Sequence, residues 1–200
     1  MKLIKFFVVK NKTSFMAAVI IFVAGSALGA VSSCRLQPSD ADVLKEYISP
    51  YLSGSSVSAV SRMAIFSADI ANHFKFAFWA VFCSLSRFLV PVFAFCLGLK
   101  GYQLGFALGF VSGHFGAGGI VLAVLTTIVT YWLSVPVYLF MFVRFMGFST
   151  DLKNHPRMTS GERTREYIAY FITVVVSCFL LCLSAGVGAV VTPFLAGFMN

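Results

Sequence analysis

The sequence predicts an all-α, polytopic integral membrane protein with about five transmembrane helices. Hydrophobic residues make up 59% of the 200 residues and charged residues only 11%, with a mean hydropathy of +0.91. A soluble domain carries about 25% charged residues. Apolar runs near 20 residues long alternate with short charged clusters, which is the pattern of helices that cross a bilayer. Lipid must therefore cover much of this protein.

The first predicted span covers residues 14–33. It follows a basic leader, and about 20 apolar residues are enough to cross ~30 Å of hydrocarbon. Gly25 and Gly29 form a GxxxG pattern, which favours close helix packing. A cleaved signal peptide is the alternative, because Val31–Cys34 loosely resembles a lipoprotein cleavage box. The long leader and the long apolar run favour an uncleaved anchor.

Residues 34–75 form the predicted extracytoplasmic loop, with two amphipathic helical stretches. One interpretation is a pair of helices lying on the membrane surface. The other is a docking surface for a partner, because aromatic anchors beside charges are typical of binding patches. The candidate docking residues are Asp40, Asp42, Tyr47 and Tyr51.

The second predicted span, residues 76–99, contains Arg87 about midway between two lysines, and Pro91, which predicts a kink. An arginine at the centre of a bilayer costs about 2.5–3.5 kcal/mol. Arg87 is therefore predicted to be an intramembrane polar residue that faces other helices or water. A buried structural role is favoured over a substrate or proton path, because no acid lies in any predicted span.

Residues 101–149 predict two spans, 101–127 and 129–148, built from broken or kinked helices. The predicted breaks lie at residues 114–119, where His114 is a second intramembrane polar candidate, and at 134–136. Before the first break, glycine recurs every fourth residue and predicts a smooth packing face. The packing glycines of this face are Gly101, Gly105, Gly109 and Gly113.

A linker at 149–166, predicted to be cytoplasmic, and a last span at 167–191 complete the single membrane domain. Five crossings with the amino terminus inside leave ten basic residues inside and four outside. Such an asymmetry predicts a cytoplasmic amino terminus and an extracytoplasmic carboxyl terminus. The inside set is Lys2, Lys5, Lys10, Lys12, Lys100, Arg144, Lys153, Arg157, Arg163 and Arg165, and the outside set is Arg35, Lys45, Arg62 and Lys75.

No catalytic, cofactor or metal site is predicted. All seven carboxylates fall in predicted loops, and the three histidines, His73, His114 and His155, are unrelated in position. The five cysteines show no zinc-binding or disulfide spacing. The net charge of +8 comes from clusters beside the spans and leaves no exposed basic domain for nucleic acid. The sequence therefore predicts a protein that is not an enzyme.

A family likeness appears once the spans are placed. The run Leu99–Phe110, with its Lys-Gly and two Gly-Phe pairs, resembles the central signature of the stage II sporulation protein M family. The tail around Thr192 and Pro193 is similar to the end of that family. Upstream positions that match the family pattern are Asn72, Trp79, Pro91 and Phe95, while Arg87 has no counterpart in it.

The resemblance implies a non-enzymatic scaffold in the septal or engulfing membrane of a sporulating bacterium. It implies two partners besides the lipid bilayer, the peptidoglycan hydrolases stage II sporulation proteins D and P, which the scaffold localises during forespore engulfment. The alternative is a small transporter or channel-like protein that uses the broken helices around 114–136.

Overall fold

The computed structural model describes residues 11–52, 59–84, 87–114, 116–154 and 160–198, and six α-helices account for nearly all of these residues. No strand occurs in these ranges, so the all-α prediction is confirmed. The helices are α1 (Lys12–Cys34), α2 (Pro38–Leu52), α3 (Ala59–Ser84), α4 (Val90–His114), α5 (Gly116–Asn154) and α6 (Ser160–Phe198), with a 3-10 turn at Arg87–Leu89 before α4.

Four stretches of the described helices are long and apolar enough to cross a membrane, against about five predicted from the sequence. They are Lys12–Cys34, Val90–His114, Tyr131–Ser149 and Thr164–Val190. The protein is therefore a multi-pass membrane protein, as predicted. Helix α3 does not reach this hydropathy, because polar residues such as Asp69, His73 and Lys75 interrupt its apolar sequence.

Helices α1 and α4 run parallel to each other. Gly101 lies against the backbone of Phe22, and Gly105, one turn later, lies against the backbone of Ser26, so residue numbers rise together along both helices. Two parallel helices joined by one segment require that segment to return the chain to the starting side. Residues 35–89 therefore bring the chain back from the end of α1 to the level at which α1 begins.

Helix α3 makes most of this return, antiparallel to α6. The Tyr170 hydroxyl donates a hydrogen bond to the Ala80 carbonyl at 2.8 Å. Nearer the other end of the pair, Phe66 lies beside Gly186. Helix α3 therefore lies beside most of the apolar stretch of α6, although its own sequence is less apolar.

An aromatic cluster centred on Phe93 fixes α3, α4 and α5 together. Phe93 is fully buried, and its ring centroid lies 5.2 Å from that of Phe76, 5.8 Å from Phe142 and 4.8 Å from Phe145. Aromatic rings at these distances pack favourably. Because hydrophobicity does not drive helices together in lipid, such packing contacts have to hold the bundle.

Several predicted boundaries differ from the observed helices. The predicted span 76–99 falls on the end of α3, the 3-10 turn and the start of α4, so Arg87 lies between helices and not midway along one. Lys100, predicted to end that span, lies inside α4. Both differences have the same physical cause: Lys75 and Lys100 each stand beside an apolar run, a pattern typical of a membrane boundary, but both lie inside helices.

The predicted break at 134–136 does not occur, because α5 continues as helix through Pro136. Breaking a helix in hydrocarbon would leave several backbone groups without hydrogen bonds, whereas a proline removes only one donor. Of the predicted break at 114–119, α4 ends at His114, but residues 116–119 already belong to α5. Helix α5 also continues through 127–129, so the predicted division into spans 101–127 and 129–148 is wrong. Of the predicted loop 34–75, residues 59–75 belong to α3 and pack in the bundle.

Candidate functional site

The most unusual site in the bundle is a polar cluster around Lys100 on α4. Lys100 is only 9% exposed. Its ammonium group donates hydrogen bonds to the Asn72 carbonyl at 3.0 Å and to the Asn72 side-chain oxygen at 2.7 Å. Gln103 Oε1 lies 3.5 Å away, and the ammonium sits 5.6 Å from the centroid of the Tyr138 ring. Lys100 thus links α4 to the backbone of α3 and to the face of an aromatic ring on α5.

His73 and Tyr138 extend the cluster between α3 and α5. The His73 Nδ1 and the Tyr138 hydroxyl lie 2.5 Å apart, and both residues are buried. Which of the two atoms donates depends on the histidine tautomer. Phe76, one turn after Asn72, packs edge-on against Tyr138 at 4.7 Å. The polar cluster therefore continues directly into the aromatic core.

Two further charges act on Lys100. Asp69 lies three residues before Asn72 on α3 and Lys75 three residues after it, so a carboxylate that attracts the ammonium and a second ammonium that repels it occupy the neighbouring turns. Buried charges are stable only when hydrogen-bonded or paired. The cluster meets this requirement for Lys100, since the ammonium has three oxygen acceptors and a nearby carboxylate.

The chemistry of this cluster suits interhelical fastening and polar recognition. Among the described residues, no group of three or more His, Cys, Asp or Glu side chains is placed to hold a metal ion. No buried side-chain nitrogen or oxygen there is left without a hydrogen-bond partner. An ionisable residue inside a membrane bundle is a candidate functional site in its own right.

Five of the six predicted packing glycines lie where α1 meets α4. A Cβ atom added at Gly25, Gly29, Gly101 or Gly105 would come closer than 3.0 Å to backbone atoms of the opposite helix. At Gly109 the added atom would meet the Ser33 side chain and the Ala30 backbone, while Gly113 has no neighbour within 4 Å among the described residues. Small residues on both helices therefore allow backbone-to-backbone contact.

The candidate docking residues lie on α2. Asp40 and Asp42 are exposed, and the buried Ala41 between them anchors this helix, which packs against α6. The side chains of Tyr47 and Tyr51 lie outside the described residues.

The two intramembrane polar candidates are not brought together. Arg87 is in the 3-10 turn, and its side chain lies outside the described residues. His114 ends α4, where its ring stacks on Phe110 at 4.5 Å and its Nδ1 lies 3.1 Å from the Phe110 carbonyl. His114 therefore interacts with the last turn of its own helix.

Sequence reasoning missed the cluster because Asp69, Asn72 and His73 were placed in an outer loop and Lys100 at a membrane boundary. One signal was available. The small-residue pattern that begins at Gly98 continues past Lys100 to Gly109, which indicates one uninterrupted helix.

Comparison with known proteins agrees with the family likeness. A family model described as Stage II sporulation protein M matches residues 18–193. No curated protein and no solved structure matches the chain. Because the match covers most of α1, the glycine interface and the polar cluster through to Pro193, the chain belongs to the stage II sporulation protein M family.

Proposed function

We propose that this protein is a non-enzymatic membrane scaffold that holds peptidoglycan hydrolases at the septal membrane during forespore engulfment. The observation that carries the proposal is the family match over residues 18–193, which makes the chain a sporulation membrane protein. The role of hydrolase partners, stage II sporulation proteins D and P, is taken from the family resemblance. A scaffold needs a stable framework and a surface for its partners, and both can be argued from the described residues.

The framework is the bundle held by the α1–α4 glycine interface and the aromatic cluster around Phe93. Close backbone contact and ring packing are strong restraints in lipid. They support a rigid platform that presents the ends of its helices at fixed positions.

The orientation we propose has the amino terminus in the cytoplasm and the carboxyl terminus outside. Helices α1, α4 and α6 run in one direction across the membrane, and α3 and α5 run in the other. In this arrangement α3 crosses the membrane as a fifth helix, in addition to the four apolar stretches. Ten basic residues then lie inside and three outside, in agreement with the positive-inside rule. The inside set is Lys2, Lys5, Lys10, Lys12, Arg87, Arg144, Lys153, Arg157, Arg163 and Arg165, and the outside set is Arg35, Lys45 and Arg62.

In this orientation α2 lies on the wall side, where the hydrolases act. Its exposed Asp40 and Asp42 are available to a partner, because Ala41 faces inward. We therefore place the proposed docking surface on α2, with Tyr47 and Tyr51 as further contributors.

Co-purification of a membrane-anchored hydrolase tests this surface. A variant carrying Asp42→Lys, Tyr47→Ala and Tyr51→Ala is expected to lose most of the hydrolase at normal membrane levels. The matched control carries Glu166→Lys and Tyr167→Ala at the opposite end of the bundle and should retain it. Equal recovery with both variants would rule out docking on α2.

A transporter remains the second candidate, favoured by one observation. Asp69 and His73 lie in the bundle beside Lys100 and Tyr138, so the membrane region does contain an acid and a histidine. Chains of such groups line proton paths in transporters. Purified protein in vesicles would decide between the two functions. Saturable, pH-dependent flux abolished by Asp69→Asn would establish transport, while the scaffold function predicts no such flux.

A further inference from the structure

The outer face shared by α3 and α4 carries polar groups at the depth of the bilayer centre. Gln103 is exposed. It lies 13 residues from Val90 and 11 from His114, the ends of an apolar stretch long enough to cross the membrane. At 1.5 Å per residue these ends are about 20 Å and about 17 Å away. Asn72 on α3 is at the same level, since its Nδ2 lies 3.5 Å from Gln103 Oε1.

The two amides satisfy only part of each other's hydrogen-bonding capacity. A primary amide has two donor hydrogens and an oxygen with two lone pairs, and a 3.5 Å bond is weak. The bonds of Gln103 to other described residues are made through its oxygen. None of these bonds uses its amide nitrogen, and hydrocarbon around this face would offer that nitrogen no acceptor.

The positive charges on this face also outnumber the negative ones. Asn72 holds the Lys100 ammonium, and on α3 the exposed Lys75 lies three residues after Asn72 while Asp69 lies three residues before it, so the three charges occupy neighbouring helical turns. Two ammonium groups against one carboxylate leave a net positive charge. An added carboxylate on this face would complete the balance.

Neither a lipid headgroup nor a second copy of this chain fits this face well. Lipid headgroups lie about 15 Å from the centre of a ~30 Å hydrocarbon core, too far to reach Gln103. A second copy of the chain related by a two-fold axis would bring Lys75 and Lys100 towards their own counterparts, and like charges would repel in a low-dielectric medium.

We propose that this face, formed by Asn72, Lys75 and Gln103 and flanked by exposed Trp79, Phe95 and Leu99, binds a transmembrane helix of another protein that carries a carboxyl group at mid-depth. The apolar residues contact the body of the partner helix, and the carboxyl group accepts hydrogen bonds from Gln103 and Lys75. This surface is separate from α2. The inference does not require the partner to be a hydrolase, so its test is independent of the test of the proposed function.

The probe is a leucine-rich transmembrane peptide with one central glutamate, compared with the same peptide carrying leucine there. Fluorescence energy transfer between labelled peptide and full-length protein in phosphatidylcholine vesicles reports association. We expect the glutamate peptide to bind about tenfold more tightly, as for one to two interhelical polar contacts. The double variant Lys75→Gln, Gln103→Leu should lose this preference, while Phe171→Leu, an exposed position on α6 away from this face, should keep it.

Two results would overturn the proposal. One is equal binding of the two peptides to the wild-type protein. The other is energy transfer between two labelled copies of the chain that Gln103→Leu abolishes, which would make the face a homodimer interface. Size-exclusion profiles and thermal unfolding of the variants in detergent show whether each is folded. Should the double variant fail to fold, the comparison of the two peptides on the wild-type protein still decides.

Discussion

Replacing Gly105 with alanine is expected to force α1 and α4 apart. An added Cβ would lie 2.6 Å from the Ser26 carbonyl carbon and 2.8 Å from its Cα. The Ser26 carbonyl oxygen would lie closer still, and ordinary contact begins at 3.4 Å, so the helices would have to separate by more than 0.8 Å. A gap of ~0.5–1 Å already forfeits a quarter to a half of the dispersion attraction between facing atoms. The neighbouring glycine contacts would weaken together with this one.

The matched control is Gly98→Ala, in the same helix and interface. Its added Cβ would lie 3.6 Å from the Ile21 Cγ2, which is ordinary contact. Both variants gain the same helix propensity of up to about 1 kcal/mol. Their difference therefore isolates the steric effect, and we expect Gly105→Ala to be less stable than Gly98→Ala by about 1–3 kcal/mol, the usual range for overpacking.

Unfolding of the two purified variants by titration with sodium dodecyl sulfate in mixed micelles measures this difference. Gly113→Ala, with open space around the added carbon, should behave like the control. Equal free energies of unfolding for Gly105→Ala and Gly98→Ala would refute the argument that backbone contact at Ser26 holds the two helices.

Three other predictions follow from the cluster and the topology. Lys100→Met should lower the free energy of unfolding by about 1–3 kcal/mol in the same titration, because it leaves the two Asn72 oxygens without the ammonium that donates to them. Tyr138→Phe should lower it by about 1–3 kcal/mol through loss of the contact with His73, whereas Tyr167→Phe, which keeps its ring contact with Phe148, should have little effect. Single cysteines at Arg35 and Phe88 in a cysteine-free background should react with a membrane-impermeant reagent from opposite sides, and labelling of both from outside would mean that α3 does not cross.

The helical membrane fold was predictable because lipid imposes length and composition on each span. The apolar runs that became α1 and α6 stand out for this reason. So do Gly25 with Gly29 and Gly101 with Gly105, because glycines four residues apart favour close helix packing in membranes. Pro136 was misleading, because proline signals a break in water but is tolerated where a bundle and hydrocarbon favour continued helix. Nothing in the local sequence shows that the helix backbone continues through Pro136.

The polar cluster was not predictable from charge patterns alone. A lysine beside an apolar run is usually at the membrane boundary, and Lys100 fits that pattern as well as it fits the interior. Only the packing of α3 brings the Asn72 oxygens within 3.0 Å of the Lys100 ammonium. These hydrogen bonds offset the cost of burying that charge. Asp69 and His73 could not be predicted for the same reason, since α3 is less apolar than the three helices α4, α5 and α6 that it packs against.

The parallel pairing of α1 with α4 also constrains how the chain is made. Gly105 is 80 residues later in the sequence than Gly25. At ~5–20 residues per second, the ribosome needs about 4 to 16 s to add that length. During this interval the first helix has been synthesised while its permanent neighbour has not, so its glycine face is exposed to lipid or to the insertion machinery. A chain truncated before Val90 would therefore keep this face uncovered, and membrane quality-control proteases could recognise it as unfinished.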